Sequence, residues 1–173
     1  PEQGLLGLRK SLGLYLNIRP LKVFEKMVAH SNLKPEVIKD VDFTIYRELS
    51  SGIYFGDKQE LQEGGDSASD LCRYSVPEVT RVVRAAFKAA RKRKGKLCVV
   101  DKANVLATSR LWRKTARDMA EEYPDVEVDF MYVDNAAMQL VLNPGQFDVI
   151  VTSNMFGDIL SDLASTIGGS IGL

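Results

Sequence analysis

The sequence predicts an α/β fold, a layered αβα domain with one extended arm, and three observations carry that reading. From residue 75 onward, short apolar runs alternate with stretches of helical periodicity, the order of a strand-helix layered domain. Two of those runs, KLCVVD at 96–101 and FDVIV at 147–151, are continuous and of strand length. Residues 56–73 (GDKQELQEGGDSASDLCR) are polar and glycine-bearing, and read as an exposed loop or arm.

In chain order, Leu5, Leu6, Leu8, Leu12, Leu14 and Leu16 mark a helix that gives way to a strand before Arg19-Pro20. Val41 to Leu49 reads as a strand closed by a Ser50-Ser51-Gly52 turn. Ser75-Val76-Pro77-Glu78 combines an N-cap serine, a Glu three residues on and an early proline, which announce a helix. Val79, Val82, Val83, Ala86, Phe87 and Ala90 recur at helical spacing, and Gly95 is the stop, giving about five turns. The basic run Arg91 to Lys94 lacks interleaved aromatics and sits where cations complement a helix dipole, so it reads as a solvated helix end. After the strand 96–101 comes a loop with Lys102 and Asn104, then a helix capped by Thr108 or Ser109 and stopped by Pro124. Val126, Val128, Phe130 and Tyr132 alternate with Glu127, Asp129 and Met131, a strand with one wetter face. Asp134 to Leu142 is a short helix ended by Asn143-Pro144-Gly145, and Phe156 to Thr166 a helix entered through Thr152-Ser153-Asn154.

The 173 residues amount to one domain's worth, at 45% hydrophobic and 27% charged, the mix of an ordinary globular chain. Lys+Arg and Asp+Glu balance at 23 each, so no charge asymmetry points to nucleic acid or acidic membranes. Apolar stretches fall short of the roughly 20 residues of a membrane span. Cys72 and Cys98 lack C-x-x-C spacing, and the single histidine, His30, excludes a His-rich metal site, so a reducing cytoplasm fits best. With no initiator Met, no signal sequence and a glycine-bounded apolar end, the chain reads as an internal piece of a longer polypeptide.

The sharpest local feature is Gly157-Asp158-Ile159-Leu160-Ser161-Asp162. Two carboxylates at i and i+4 share one helix face just after an apolar strand, at the sheet edge where α/β proteins bind ligands. All-oxygen ligands suit Mg²⁺ or Mn²⁺, although an acidic residue early in a helix also serves the dipole alone. Asp134, at the mouth of another helix, is by itself an N-cap. Arg9, Arg19 and Arg47 each lie near an element end, and three guanidinium forks in one cleft would favour a di- or tricarboxylate, whereas singly each is an ordinary surface or ion-pair residue. Lys102 follows a buried strand, where burial could fit it for proton transfer or leave it merely solvated. Tyr54 in Gly52-Ile53-Tyr54-Phe55-Gly56 is an acid or half of an aromatic core pair.

Six blocks in order, LLGLRK at 5–10, LNIRP at 16–20, REL at 47–49 with GIYFG at 52–56, DKANVL at 101–106, YVDNA at 132–136 and SNMFGDILSD at 153–162, resemble the isocitrate/isopropylmalate family of metal-dependent β-decarboxylating dehydrogenases. The resemblance spans nearly the whole chain. It implies that residues 1–173 form a single substrate-binding and dimerisation domain, with most of an NAD-binding domain and the continuation past Gly168-Gly169-Ser170 absent. It implies carboxylate binding by Arg9, Arg19 and Arg47, Mg²⁺ or Mn²⁺ ligation by Asp134, Asp158 and Asp162, acid-base work by Tyr54 and Lys102, and cofactor contacts by Asn104 and Glu2 toward NAD. It further implies a homodimer whose sites are shared, with Lys102, Asn104 and Asp134 acting in the partner's site, so that an isolated monomer is inactive.

Leu5 and Leu6, one turn before Arg9, offer an apolar patch suited to an isopropyl group and hostile to an extra buried carboxylate. The expected activity is therefore oxidative decarboxylation of 3-isopropylmalate, a leucine-biosynthetic step, ahead of isocitrate, homoisocitrate and tartrate. The chain alone is expected to turn over no substrate, and a non-catalytic dimerisation module is the competing reading.

Overall fold

A computed structural model describes residues 2–29, 31 and 33–168; His30 and the Gly169–Leu173 segment lie outside it. The chain runs α1 (Glu2–Ser11), β1 (Leu16–Lys22), α2 (Glu25–Val28), α3 (Pro35–Ile38), β2 (Asp42–Glu48), β3 (Lys58–Gln59), β4 (Ser69–Asp70) and α4 (Val76–Arg91). It continues with β5 (Lys96–Asp101), α5 (Ala107–Ala120), β6 (Glu127–Tyr132), α6 (Val133–Leu142), a 3₁₀ turn (Pro144–Gln146), β7 (Val149–Thr152) and α7 (Asn154–Ile167). The main sheet has the order β1-β2-β7-β5-β6, in which β2, β7, β5 and β6 are parallel and β1 is an antiparallel edge.

The layered αβα expectation holds because the central strands are apolar on both faces. In β7, Val149 and Val151 face α4 and α5, joining Phe87, Val82, Trp112 and Met119, while Ile150 faces the other way with Leu140, Leu160 and Ile167. Phe87 stacks on Tyr123 at 4.5 Å, closing α4 onto the end of α5. Cys98 is buried in the second cluster, and burial pushes its thiol up to about 12, so it acts as a small apolar filler.

Local signals explain most boundaries. The Glu78 carboxylate takes hydrogen bonds from both the backbone N–H and the hydroxyl of Ser75, fixing the start of α4. Gly95, at φ 75°, supplies the left-handed residue that turns α4 into β5. The two arginines of the basic run are held in ion pairs: Arg91 binds Asp125, and Arg93 binds Asp42 and the buried Asp148. The 56–73 arm is almost wholly exposed, with β3 and β4 as a two-stranded ladder.

Four details depart from the sequence reading. β1 runs on through Arg19-Pro20 to Lys22, because an edge strand leaves one row of N–H groups unused and tolerates proline. α5 starts at Ala107 with Leu106 as N-cap, so neither Thr108 nor Ser109 caps it; the Ser109 hydroxyl accepts the N–H of Lys102 instead. Asp134 is not an N-cap but lies within the first turn of α6, after Tyr132. In β6, Glu127 and Asp129 are exposed as expected, but Met131 on their face is buried against α6.

Candidate active site at the carboxyl edge of the sheet

The four parallel strands end on one edge, where ligands of open α/β sheets bind. Arg47 lies at the end of β2, Lys102 just past β5, Asp134 just past β6 and Asn154 just past β7. Topology therefore gathers residues widely spaced in sequence.

Arg47 is the centre of one group. Its side chain is 3% exposed, and its guanidinium is held by Asn154 and Asp158 of α7. Nε donates to the Asn154 carbonyl at 3.0 Å and to its Oδ1 at 3.1 Å, Nη2 donates to the same Oδ1 at 2.8 Å, and Nη1 donates to Asp158 Oδ1. A Cβ at position 157 would lie 2.5 Å from Arg47 Cγ, so only glycine lets the arginine stem cross α7 here. The second oxygen of Asp158 accepts the Tyr54 hydroxyl at 2.8 Å. Burial, then the hydrogen bond to Asp158 and its charge, raises the Tyr54 phenol above its ordinary value, so the tyrosine stays protonated. Tyr54 is thus an Asp158 partner with Arg47 over its ring at 5.9 Å, and not half of an aromatic pair.

The remaining arginines reach the same place. Burial lowers the Arg47 guanidinium, Asp158 opposes this, and the charges of Arg9 and Arg19 add to the lowering, which requires both to be near. Asn17 is the register partner of Arg47 and accepts Nε of Arg19 at 2.6 Å, so Arg19 projects on the α7 face of the sheet. Asp162, exposed one turn beyond Asp158, acts electrostatically on Tyr54.

The second group is Lys102 and Asp134. Lys102 Nζ donates to Asp134 Oδ1 at 2.6 Å, and this bond holds the Asp134 carboxyl below its ordinary range. The backbone beneath Lys102 is pinned by Asp101, which is 2% exposed. Asp101 accepts the Ala103 N–H and a two-point grip from Arg113 at 2.8 Å each. Asn104 stands exposed in the same turn. The side chains of Glu2, Leu5 and Leu6 lie outside the described residues.

The two groups do not touch within one chain. β5 and β6 are two and three strands from β2, about 10 and 14 Å at the usual strand spacing. Accordingly Asp134 does not join Asp158 and Asp162, and among the described residues no group of three or more His, Cys, Asp or Glu gathers for a metal. A cavity of about 450 Å³ between the Ser50–Gly52 turn and the arm contains none of the candidate residues. Sequence reasoning missed Asn154, Gly157, Asp101 and Arg113. The only signal for the first two was their place between strand and acidic pair.

The chain matches the family model described as isocitrate/isopropylmalate dehydrogenase over residues 1–173. It is 56% identical to the 3-isopropylmalate dehydrogenase of Bacillus licheniformis, covering 100% of this chain and 48% of that one. It is 57% identical to that of Clostridium acetobutylicum, covering 100% and 49%. The chain spans about half the length of the curated relatives it matches. The crystal structure of isocitrate dehydrogenase from Methylococcus capsulatus superposes with a TM-score of 0.87 at 38% identity, over 97% of this chain and 49% of that one.

Proposed function

The chain belongs to the isocitrate/isopropylmalate dehydrogenase family, and from that premise we propose that it carries the substrate- and metal-binding part of an NAD⁺-dependent enzyme that oxidises and decarboxylates 3-isopropylmalate to 2-oxoisocaproate, in leucine biosynthesis and in the cytoplasm. The observation that carries this reading is the Arg47–Tyr54–Asp158 cluster, where a buried cation, a protonated phenol and a carboxylate meet at the ligand-binding edge.

Arg9, Arg19 and Arg47 bind the substrate carboxylates. Lys102 takes the hydroxyl proton as hydride leaves the same carbon for NAD⁺. The resulting β-keto acid loses CO₂, and the bond's electrons pass to the ketone oxygen. Tyr54, held protonated by burial and by Asp158, returns a proton to carbon. Bound Mg²⁺ or Mn²⁺ supplies Lewis-acid stabilisation of oxygen charge. Asp158 and Asp162, oxygen donors one turn apart, suit such a hard ion but are an incomplete set, which Asp134 of a second copy completes. Asn104 and Glu2 would contribute contacts to NAD⁺.

The separation of the two groups along the edge supports a homodimer with shared sites. Met138, Leu142 and Ile159, large apolar residues exposed on α6 and α7, offer a face for the second copy. Isocitrate is the second substrate reading, favoured by the likeness to the Methylococcus enzyme. The test is NADH formation by the full-length protein from 3-isopropylmalate and from isocitrate, with and without Mn²⁺. Mn²⁺-dependent turnover of isopropylmalate is expected; preference for isocitrate replaces the substrate, and silence from a folded dimer leaves a non-catalytic dimerisation module.

A further inference from the structure

Asn154 is fully buried, and each of its polar atoms is used across a chain separation of about eighty residues or more. Its Oδ1 and carbonyl accept from Arg47, its Nδ2 donates to the Ser51 carbonyl at 3.1 Å, and its backbone N–H donates to the Tyr74 hydroxyl at 2.9 Å. Ser51 begins the turn that carries Tyr54, three residues on. One amide side chain therefore ties the arginine at the end of β2 to the loop that presents the phenol, while its own backbone opens α7, which presents Asp158.

A guanidinium has five N–H donors. Arg47 gives Nε–H and one Nη2 proton to Asn154 and one Nη1 proton to Asp158. One N–H on each terminal nitrogen remains, two donors left to meet a carboxylate. We propose that Asn154 is the positioning residue of the site: it leaves Arg47 only those two donors and fixes them relative to Tyr54. This rests on the reading that Arg47 and Tyr54 meet substrate. An amide is required, because one end must accept from Arg47 while the other donates to Ser51. An aspartate would keep the first contact and set a second acceptor against the Ser51 carbonyl, and alanine would lose both side-chain contacts, leaving only the backbone carbonyl to accept Nε of Arg47.

Two measurements on unsubstituted protein, Asn154→Ala and Asn154→Asp test this. The first is solvent exchange of the Arg47 Nη2 proton bonded to Asn154 Oδ1, read by NMR, which needs no ligand. It should be at least about tenfold slower than that of the exposed Arg117 in unsubstituted protein and in Asn154→Asp, and unprotected in Asn154→Ala. The second is steady-state kinetics of the full-length enzyme with 3-isopropylmalate, NAD⁺ and Mn²⁺. Asn154→Ala should raise KM about tenfold or more, whereas Asn154→Asp should lower kcat with a smaller change in KM, the split expected from loss of the Ser51 tie. Emission of Trp112, the single tryptophan, should stay constant, showing that the core is kept. Retained Arg47 Nη2 protection in Asn154→Ala, or equal kinetic effects in both variants, overturns the proposal. Failure of the unsubstituted enzyme to turn over any 2-hydroxy dicarboxylate overturns the functional reading instead, while the exchange result still decides the positioning of Arg47.

Discussion

Gly157→Ala probes the narrowest contact in the site. An alanine Cβ would sit 2.5 Å from Arg47 Cγ, 2.7 Å from its Cβ and 3.1 Å from its Cδ. Carbon pairs rest at about 3.5–4.0 Å, so Arg47 must retreat by roughly 1 Å. The offending atoms are the stem of a side chain clamped by Asn154 and Asp158, and no flexible end can swing away. Overpacking costs about 1–3 kcal/mol, and alanine returns about 1 kcal/mol of helix propensity, leaving a net loss of roughly 0–2 kcal/mol. A 1 Å misplacement of a binding group costs about 100-fold in rate. The expected result is a small drop in unfolding free energy by denaturant titration together with about a 100-fold fall in kcat/KM of the full-length enzyme. A Gly157→Ala protein with unchanged kcat/KM would refute the claim that Arg47 is held in place by the space glycine leaves.

The other predictions follow from the core and the ion pairs. Leu160→Ala, at a fully buried α7 position in the second cluster, should cost about 2–5 kcal/mol in chemical denaturation. Arg93→Met removes the partner of Asp42 and of the buried Asp148, and should destabilise by about 2–4 kcal/mol at neutral pH. Hydrogen bonding and charge from Arg93 hold Asp42 below its ordinary value of 3.8, so that contribution is present above pH 3.8 and lost as pH falls through the lower folded value. The gap between Arg93→Met and the unsubstituted protein should therefore narrow below about pH 4 in pH-dependent melts. Asp158→Asn should abolish metal-dependent turnover, since it would remove one of the proposed metal ligands and the carboxylate shared by Arg47 and Tyr54; full activity in that variant would overturn the assignment.

What could be read from the sequence was what is encoded locally. β5 and β7 are continuous apolar runs because both faces are covered, and α4 announces itself through Ser75 and Glu78, which bond to each other three residues apart. Arg47, Tyr54 and the Asp158–Asp162 pair were legible as residue types at element ends. Their meeting was not, because β2 and β7 are neighbours only in the folded sheet. Asn154 and Asp101 were invisible for the same reason: an amide and a carboxylate after a strand resemble ordinary turn residues until Arg47, 107 positions away, and Arg113 are seen to bind them. Ser109 misled in the opposite direction, since its hydroxyl has the chemistry of a cap but serves the Lys102 turn.

In the proposed site, Arg47, Tyr54, Asp158 and Asp162 come from one copy and Lys102 and Asp134 from the other. Complementation measures it: inactive Asp158→Asn and inactive Lys102→Ala full-length proteins are unfolded together, refolded at equal amounts and assayed for NADH formation from 3-isopropylmalate with Mn²⁺. Random pairing makes half of the dimers mixed, and each mixed dimer holds one intact shared site, so about a quarter of the unsubstituted activity should return. No recovery, from a mixture shown to contain mixed dimers, would contradict a site shared between Asp158 of one copy and Lys102 of the other.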